Sequence, residues 1–157
     1  MLKKISAGGY IACAAAVLTL ISLIVYSVNI GGEGYFKNAA VTNLTLWTVL
    51  ALVMLVCAIV LRLPDLSDGA ATAVELISGA LQIGAPVLLA LALINLVAAR
   101  VEGLGFIYFS NADVILEVQT PANLASASCA IASMVCFGVA LLAALVAAFC
   151  NLRKQDA

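Results

Sequence analysis

Residues 76–99 read LISGALQIGAPVLLALALINLVAA, which is 24 positions without Asp, Glu, Lys or Arg. About 20 apolar residues in an α-helix are enough to cross the hydrocarbon core of a bilayer. Three other stretches also lack these four residue types, at residues 5–32, 38–61 and 118–152. Together the four stretches hold 111 of the 157 residues. The sequence therefore predicts an all-α membrane protein with four transmembrane helices.

The overall composition supports a membrane location. Hydrophobic residues make up 66% of the chain and charged residues only 10%, whereas a soluble domain carries about 25% charged residues. A soluble chain of this length cannot bury four apolar segments, because too much of it must face water. The apolar run after Lys3 and Lys4 is longer than that of a signal peptide, and no small-x-small cleavage site follows it. We therefore expect this run to be retained as the first helix.

The charge-free stretches place the helices at about residues 9–30, 44–63, 77–99 and 122–150, in a single domain that covers the chain. The connections at residues 31–43 and 100–120 then lie opposite to the termini. Two basic residues fall on that side, Lys37 and Arg100, while five fall on the side of the termini: Lys3, Lys4, Arg62, Arg153 and Lys154. The positive-inside rule predicts a multi-pass plasma-membrane protein with both termini in the cytoplasm.

The outer loop between the third and fourth helices, residues 100–120, is expected to be structured. A short helix capped by Ser110, with Asp113 completing a capping box, competes with a hairpin whose arms are residues 106–109 and 114–118. We favour the short helix, because the Asn-Gly and Asp-Gly pairs typical of a tight hairpin are missing. Thr120 and Pro121 are typical of a helix start, so the last helix is expected to begin at Pro121.

The residue types that carry most enzyme chemistry are scarce. The chain has no His, and none of its five Cys residues forms a CxxC pair. No ionisable side chain lies within a predicted span away from its ends. We therefore expect no catalytic, cofactor or metal site and no enzyme activity. The net charge of −1 leaves no basic surface suited to nucleic acid.

Three sets of residues are candidates for packing or binding. Small residues at every fourth position of the last helix form a possible helix-packing or partner face: Ser128, Ala132, Cys136, Ala140, Ala144 and Ala148. Such a face packs either against the other helices of the bundle or against another subunit. Aromatic residues of the two outer loops form a possible contact surface: Tyr35, Phe36, Phe106, Tyr108 and Phe109. The polar or helix-kinking residues of the third helix are a possible cavity lining: Gln82, Pro86 and Asn95.

The loop patterns carry a resemblance. Residues 100–124 read RVEGLGFIYFSNADVILEVQTPANL and residues 31–36 read GGEGYF. With these patterns the chain resembles small uncharacterised four-helix membrane proteins of gut Clostridia, some of which are encoded beside, or fused to, family 3 glycoside hydrolases. The resemblance covers nearly the whole chain. It implies an envelope accessory protein in a Gram-positive bacterium and carries over no catalytic residue.

These observations predict a small integral membrane interaction or scaffold protein. One such role is that of an accessory to a cell-surface or carbohydrate-handling enzyme. Its expected partners are membrane lipid and another membrane or envelope protein, or a second copy of itself. The alternative is an oligomeric channel or carrier for an uncharged or weakly charged permeant, with Gln82, Pro86 and Asn95 lining its path. Four helices are too few for most single-chain transporters, so the alternative requires self-association.

Overall fold

A computed structural model describes residues 6–64 and 68–152, without the side chains of residues 68–70. This part of the chain is all-helical and contains no strand. It forms five helices in order: α1 (Ala7–Gly31), α2 (Leu44–Leu61), α3 (Asp68–Phe109), α4 (Ala112–Val118) and α5 (Pro121–Ala148). All except α4 are long and apolar enough to cross a membrane. The predicted all-α class with four potential transmembrane helices is confirmed.

Side chains and a proline fix where α1 and α5 begin. Ser6 precedes α1 and its hydroxyl accepts a hydrogen bond from the Gly9 amide at 3.2 Å. Thr120 accepts from the Asn123 amide in the same way, also at 3.2 Å, and Pro121 then opens α5 as predicted. These caps satisfy amides that have no partner inside the first helical turn.

The third helix is much longer than the predicted span of residues 77–99. It runs from Asp68 to Phe109 without interruption, because charged residues such as Arg100 and Glu102 end a membrane span without ending a helix. Pro86 lies inside it, and the next strong turn signal is the Ser110–Asn111 pair. The segment predicted as a loop from Arg100 onwards therefore begins with ten residues of helix.

The short helix expected in the second half of this segment is present as α4. Its cap differs from the predicted one: the Asn111 side chain accepts from the Val114 amide at 3.3 Å. The Ser110 hydroxyl instead donates to the Phe106 carbonyl at 2.6 Å. Ser110 therefore closes the end of α3, and the prediction that it caps α4 was wrong.

The four long helices run alternately up and down. The main contacts join α1 to α2, α2 to α3, α3 to α5 and α5 back to α1, so the helices form a closed ring. Near the start and the end of the chain, the Ser6 amide donates to the Leu152 carbonyl at 3.1 Å. We call that side the terminal end and the opposite side, with residues 32–43 and 100–120, the loop end. The orientation prediction depends on five basic residues on the side of the termini. Four of them lie outside the described residues: Lys3, Lys4, Arg153 and Lys154.

The bundle buries small and some polar side chains and exposes large apolar ones. Its centre is built from small side chains that allow close helix contact, such as Ala15, Ala51 and Ala92. Small polar side chains are also buried there, including Thr19, Thr48 and Ser133. Large branched side chains cover the outer surface instead: Val17, Ile24, Val53, Ile94 and Leu142 are all exposed. An exterior of this kind suits lipid and is unusual for a monomer in water.

Candidate functional site

The loop end extends beyond the part of the bundle that a bilayer covers. With a rise of 1.5 Å per residue, Arg100 lies about 37 Å along α3 from Glu75, and Phe109 about 13 Å further. The hydrocarbon core of a bilayer is only about 30 Å thick. A bilayer that surrounds residues 76–99 therefore leaves the end of α3 and all of α4 among headgroups or in water.

Hydrogen bonds to three helices hold the connection between α1 and α2 in place at the loop end. The Phe36 amide donates to the Ser126 hydroxyl of α5 at 3.2 Å. The Val41 amide donates to the Tyr26 hydroxyl of α1 at 2.6 Å. A third bond comes from Arg100 of α3 to the Ala39 carbonyl. The segment is therefore held at Phe36, Ala39 and Val41.

Arg100 is the charged residue buried at the loop end, with 2% of its surface exposed. One guanidinium nitrogen, Nη2, donates to the Ala39 carbonyl at 2.8 Å. The guanidinium carbon lies 4.5 Å from the centre of the Phe36 ring, which is the geometry of a cation–π contact. No carboxylate of the described residues forms an ion pair with it. Arg100 thus ties α3 to the α1–α2 connection through a carbonyl and an aromatic face.

Gly103 makes room for this contact on the next turn of α3. A Cβ atom at Gly103 would lie 2.6 Å from the Tyr35 ring and 2.7 Å from the Phe36 ring. The two rings meet edge to face, with their centres 5.2 Å apart. Gly34, on the connection itself, has a φ of +112°, which a residue with a side chain rarely adopts. Both glycines are therefore required for the close packing at this end.

The predicted aromatic contact residues have two different environments. Phe36 is buried with Ile107 and Ala127 in a small apolar cluster of the loop end. Tyr108 packs against this cluster from its edge. Tyr35 and Phe106 contact each other, with ring centres 5.9 Å apart, and remain partly exposed. Phe109 is 87% exposed.

The loop end exposes one more large apolar side chain, on α4. Leu116 is 84% exposed on α4, which follows Phe109 after only two residues. We call Tyr35, Phe106, Phe109 and Leu116 the apolar loop-end surface. Carboxylates of the same end are also exposed: Glu33, Glu102, Asp113 and Glu117. The loop end therefore presents apolar side chains within an acidic surface.

The predicted small-residue face of α5 does not form one continuous contact. Ala140 and Ala144 are buried in the bundle, whereas Ser128 and Ala132 are exposed and Cys136 and Ala148 are partly buried. A row at every fourth residue winds slowly around a helix with 3.6 residues per turn. The buried stripe follows mixed steps of three and four residues instead: Ala127, Ala130, Ser133, Phe137, Ala140, Ala144 and Ala147.

The predicted cavity residues of α3 are separated. Gln82 and Pro86 are buried one turn apart, whereas Asn95 lies about 140° around the helix from Gln82. The Asn95 side chain donates to the Leu91 carbonyl of its own helix at 2.8 Å. Pro86 lines an apolar groove of about 510 Å³ between α3 and α5, together with Ala90 and Ala148. The structure does not bring the three residues onto one path.

The sequence assigned Arg100 to an outer loop, and it did not predict Gly103 or Leu116 as residues of the site. A usable signal was present for Arg100, since it is the first charge after 24 charge-free residues and continues the helical pattern. The exposure of Leu116 depends on how α4 docks and has no local signal. Among the described residues, no three metal-ligating side chains come together.

The chain was compared with known proteins at three levels. No protein-family model, no curated protein and no solved structure matches it.

Proposed function

We propose that this protein is a membrane-embedded interaction protein that binds an envelope protein at its apolar loop-end surface. The observation that supports the proposal is the exposure of two side chains: Phe109 is 87% exposed at the end of α3, beyond the predicted span, and Leu116 is 84% exposed on the following helix, α4. Monomeric proteins rarely present such side chains together to water unless they form a binding site. Aromatic anchors within a polar rim are typical of protein interfaces.

The charge around this surface defines the partner's chemistry. The loop end carries four exposed carboxylates, while Arg100 is buried and Lys37 is paired with Glu33 at 3.7 Å. A matching partner presents an apolar centre with a basic rim. The resemblance to membrane proteins encoded with glycoside hydrolases makes a cell-surface, carbohydrate-handling enzyme our proposed partner class. Cytoplasmic termini, which place the loop end outside the cell, belong to the same proposal.

The arrangement of α3 and α4 explains how such a surface is kept in place. The backbone of α3 continues from the membrane span into the surface without a flexible link. Arg100 and Gly103 fix its position against the α1–α2 connection. A rigid surface loses little conformational entropy when a partner binds.

The experiment compares two double variants in protein purified from its native host at native expression levels. Phe109→Ala with Leu116→Ala is expected to lose a stoichiometric envelope partner that accompanies the unaltered protein. Ile94→Ala with Leu142→Ala removes two side chains of the spanning region that are each 63% exposed, and this variant is expected to retain the partner. Retention of the partner by both variants would contradict the proposal, as would saturable flux or turnover by the reconstituted protein alone.

A further inference from the structure

Asn95 places an amide at the outer surface of the bundle within a potential membrane span. It is partly exposed on α3, inside the charge-free stretch of residues 76–99. The hydrocarbon core takes up about 20 helical residues, and 20 residues centred on this stretch include Asn95. Exposed apolar side chains precede and follow it along the helix, including Ile94, Val97 and Val101. In a bilayer that surrounds this stretch, the amide is therefore at the depth of the lipid tails.

The Asn95 amide has more hydrogen-bonding groups than its own helix satisfies. Its Nδ2 donates one hydrogen to the Leu91 carbonyl at 2.8 Å. An amide also has a second N–H and an oxygen that accepts. No described residue donates to Asn95 Oδ1, and this oxygen is accessible at the surface. An unpaired polar group costs free energy in hydrocarbon, so the amide needs a partner from outside the chain.

The residues around Asn95 allow another helix to approach closely. Leu91, Ala98 and Ala99 lie within about 60° of it around α3, and all three are exposed. Small residues next to a polar one are typical of contacts between transmembrane helices. Glu102 lies on the same face two turns further along α3, beyond the charge-free stretch, where water and salt screen its charge.

We propose that two copies of this protein associate in the membrane through α3, with their Asn95 amides bonded to each other. Two copies inserted in the same orientation are related by a twofold axis along the membrane normal, which places both Asn95 residues at the same depth. A carboxamide is self-complementary, because the free N–H of each copy donates to Oδ1 of the other. This contact lies within the span, apart from the apolar loop-end surface, and does not depend on the proposed binding of an envelope protein.

The test measures self-association of the full-length protein in dioleoylphosphatidylcholine vesicles. Copies that carry a donor or an acceptor fluorophore at the N-terminus are reconstituted at a series of protein-to-lipid ratios, and energy transfer gives the dissociation constant of the dimer. We expect Asn95→Leu to weaken association about tenfold, because each dimer loses two interhelical hydrogen bonds. Asn95→Gln keeps an amide and should weaken it less. Ala98→Leu should also weaken association, because the larger side chain separates the helices.

Two variants of α1 are the controls. Ser27→Ala removes an exposed hydroxyl whose single hydrogen is donated within its own helix, to the Leu23 carbonyl. Ala14→Leu enlarges an exposed alanine and matches Ala98→Leu. Both controls should leave the dissociation constant unchanged. The proposal would be overturned if the unaltered protein showed no concentration-dependent energy transfer, if Asn95→Leu associated as tightly as the unaltered protein, or if Ser27→Ala weakened association equally.

Discussion

At the scale of single residues, Arg100 joins two parts of the loop end that are distant in sequence. Its guanidinium donates to the Ala39 carbonyl and covers the Phe36 ring. Arg100→Ala leaves the carbonyl without its donor and removes the cation–π contact. We expect the free energy of unfolding in mild detergent to fall by about 2 kcal/mol or more.

Lys37→Ala is the control for this prediction. Lys37 carries the same charge at the same end, but its ion pair with Glu33 is largely exposed. Exposed pairs contribute about 0–1 kcal/mol, so denaturant unfolding should barely change. Equal destabilisation by the two variants would show that the charge of the loop end matters and the buried contact of Arg100 does not.

Two glycines on one helix provide a second prediction at this scale. A Cβ at Gly103 meets the Tyr35 and Phe36 rings, whereas a Cβ at Gly105 meets no atom within 4 Å. Gly105→Ala should raise stability by about 0.5–1 kcal/mol because alanine loses less backbone entropy in a helix. Gly103→Ala should lower stability by about 1–3 kcal/mol because the rings must move. Thermal unfolding of both variants in the same detergent measures the difference, and a shift of the same sign in both would contradict the described packing.

At the scale of the helices, the sequence predicts the boundaries that local bonds define, and it misses both ends of α3, which runs from Asp68 to Phe109 and not over residues 77–99. The cap at Thr120 and the proline after it define the start of α5 through local bonds. The end of α3 depends on something different, since hydropathy falls at Arg100 while the backbone continues to Phe109. A membrane span and a helix are therefore different units, and only the span is visible in the charge pattern.

The packing face of α5 gives the prediction at this scale. Ala132 and Ala140 belong to the same row of small residues in the sequence, but Ala140 is buried and Ala132 is exposed. Ala140→Leu should cost about 1–3 kcal/mol through overpacking, whereas Ala132→Leu should change stability by about 0.5 kcal/mol or less. Unfolding midpoints in detergent compare the two, and a similar loss in both would mean that the whole row packs against protein.

At the scale of the whole molecule, the bundle has an apolar outer surface along its potential membrane spans and exposed aromatic side chains at its loop end. The sequence predicted the aromatic residues of that end as a group, yet it did not separate buried Phe36 from exposed Phe109. The difference arises from tertiary contacts. The Phe36 ring packs against Gly103 and Arg100, whereas no part of the described chain covers the Phe109 ring. The same holds for Leu116, whose exposure is set by the docking of α4.

The proposed function requires that Phe109 lies outside the hydrocarbon core and is available to a partner. Trp47 is the only tryptophan, so Phe109→Trp in a Trp47→Phe background places a single fluorophore at this position in reconstituted bilayers. Ile94→Trp in the same background, at a lipid-facing position of the span, is the reference. We predict that aqueous iodide quenches the tryptophan at position 109 and that lipids brominated on their acyl chains quench the one at position 94. Strong quenching at position 109 by the brominated chains, with protection from iodide, would contradict the account, because the apolar loop-end surface would then be a membrane anchor.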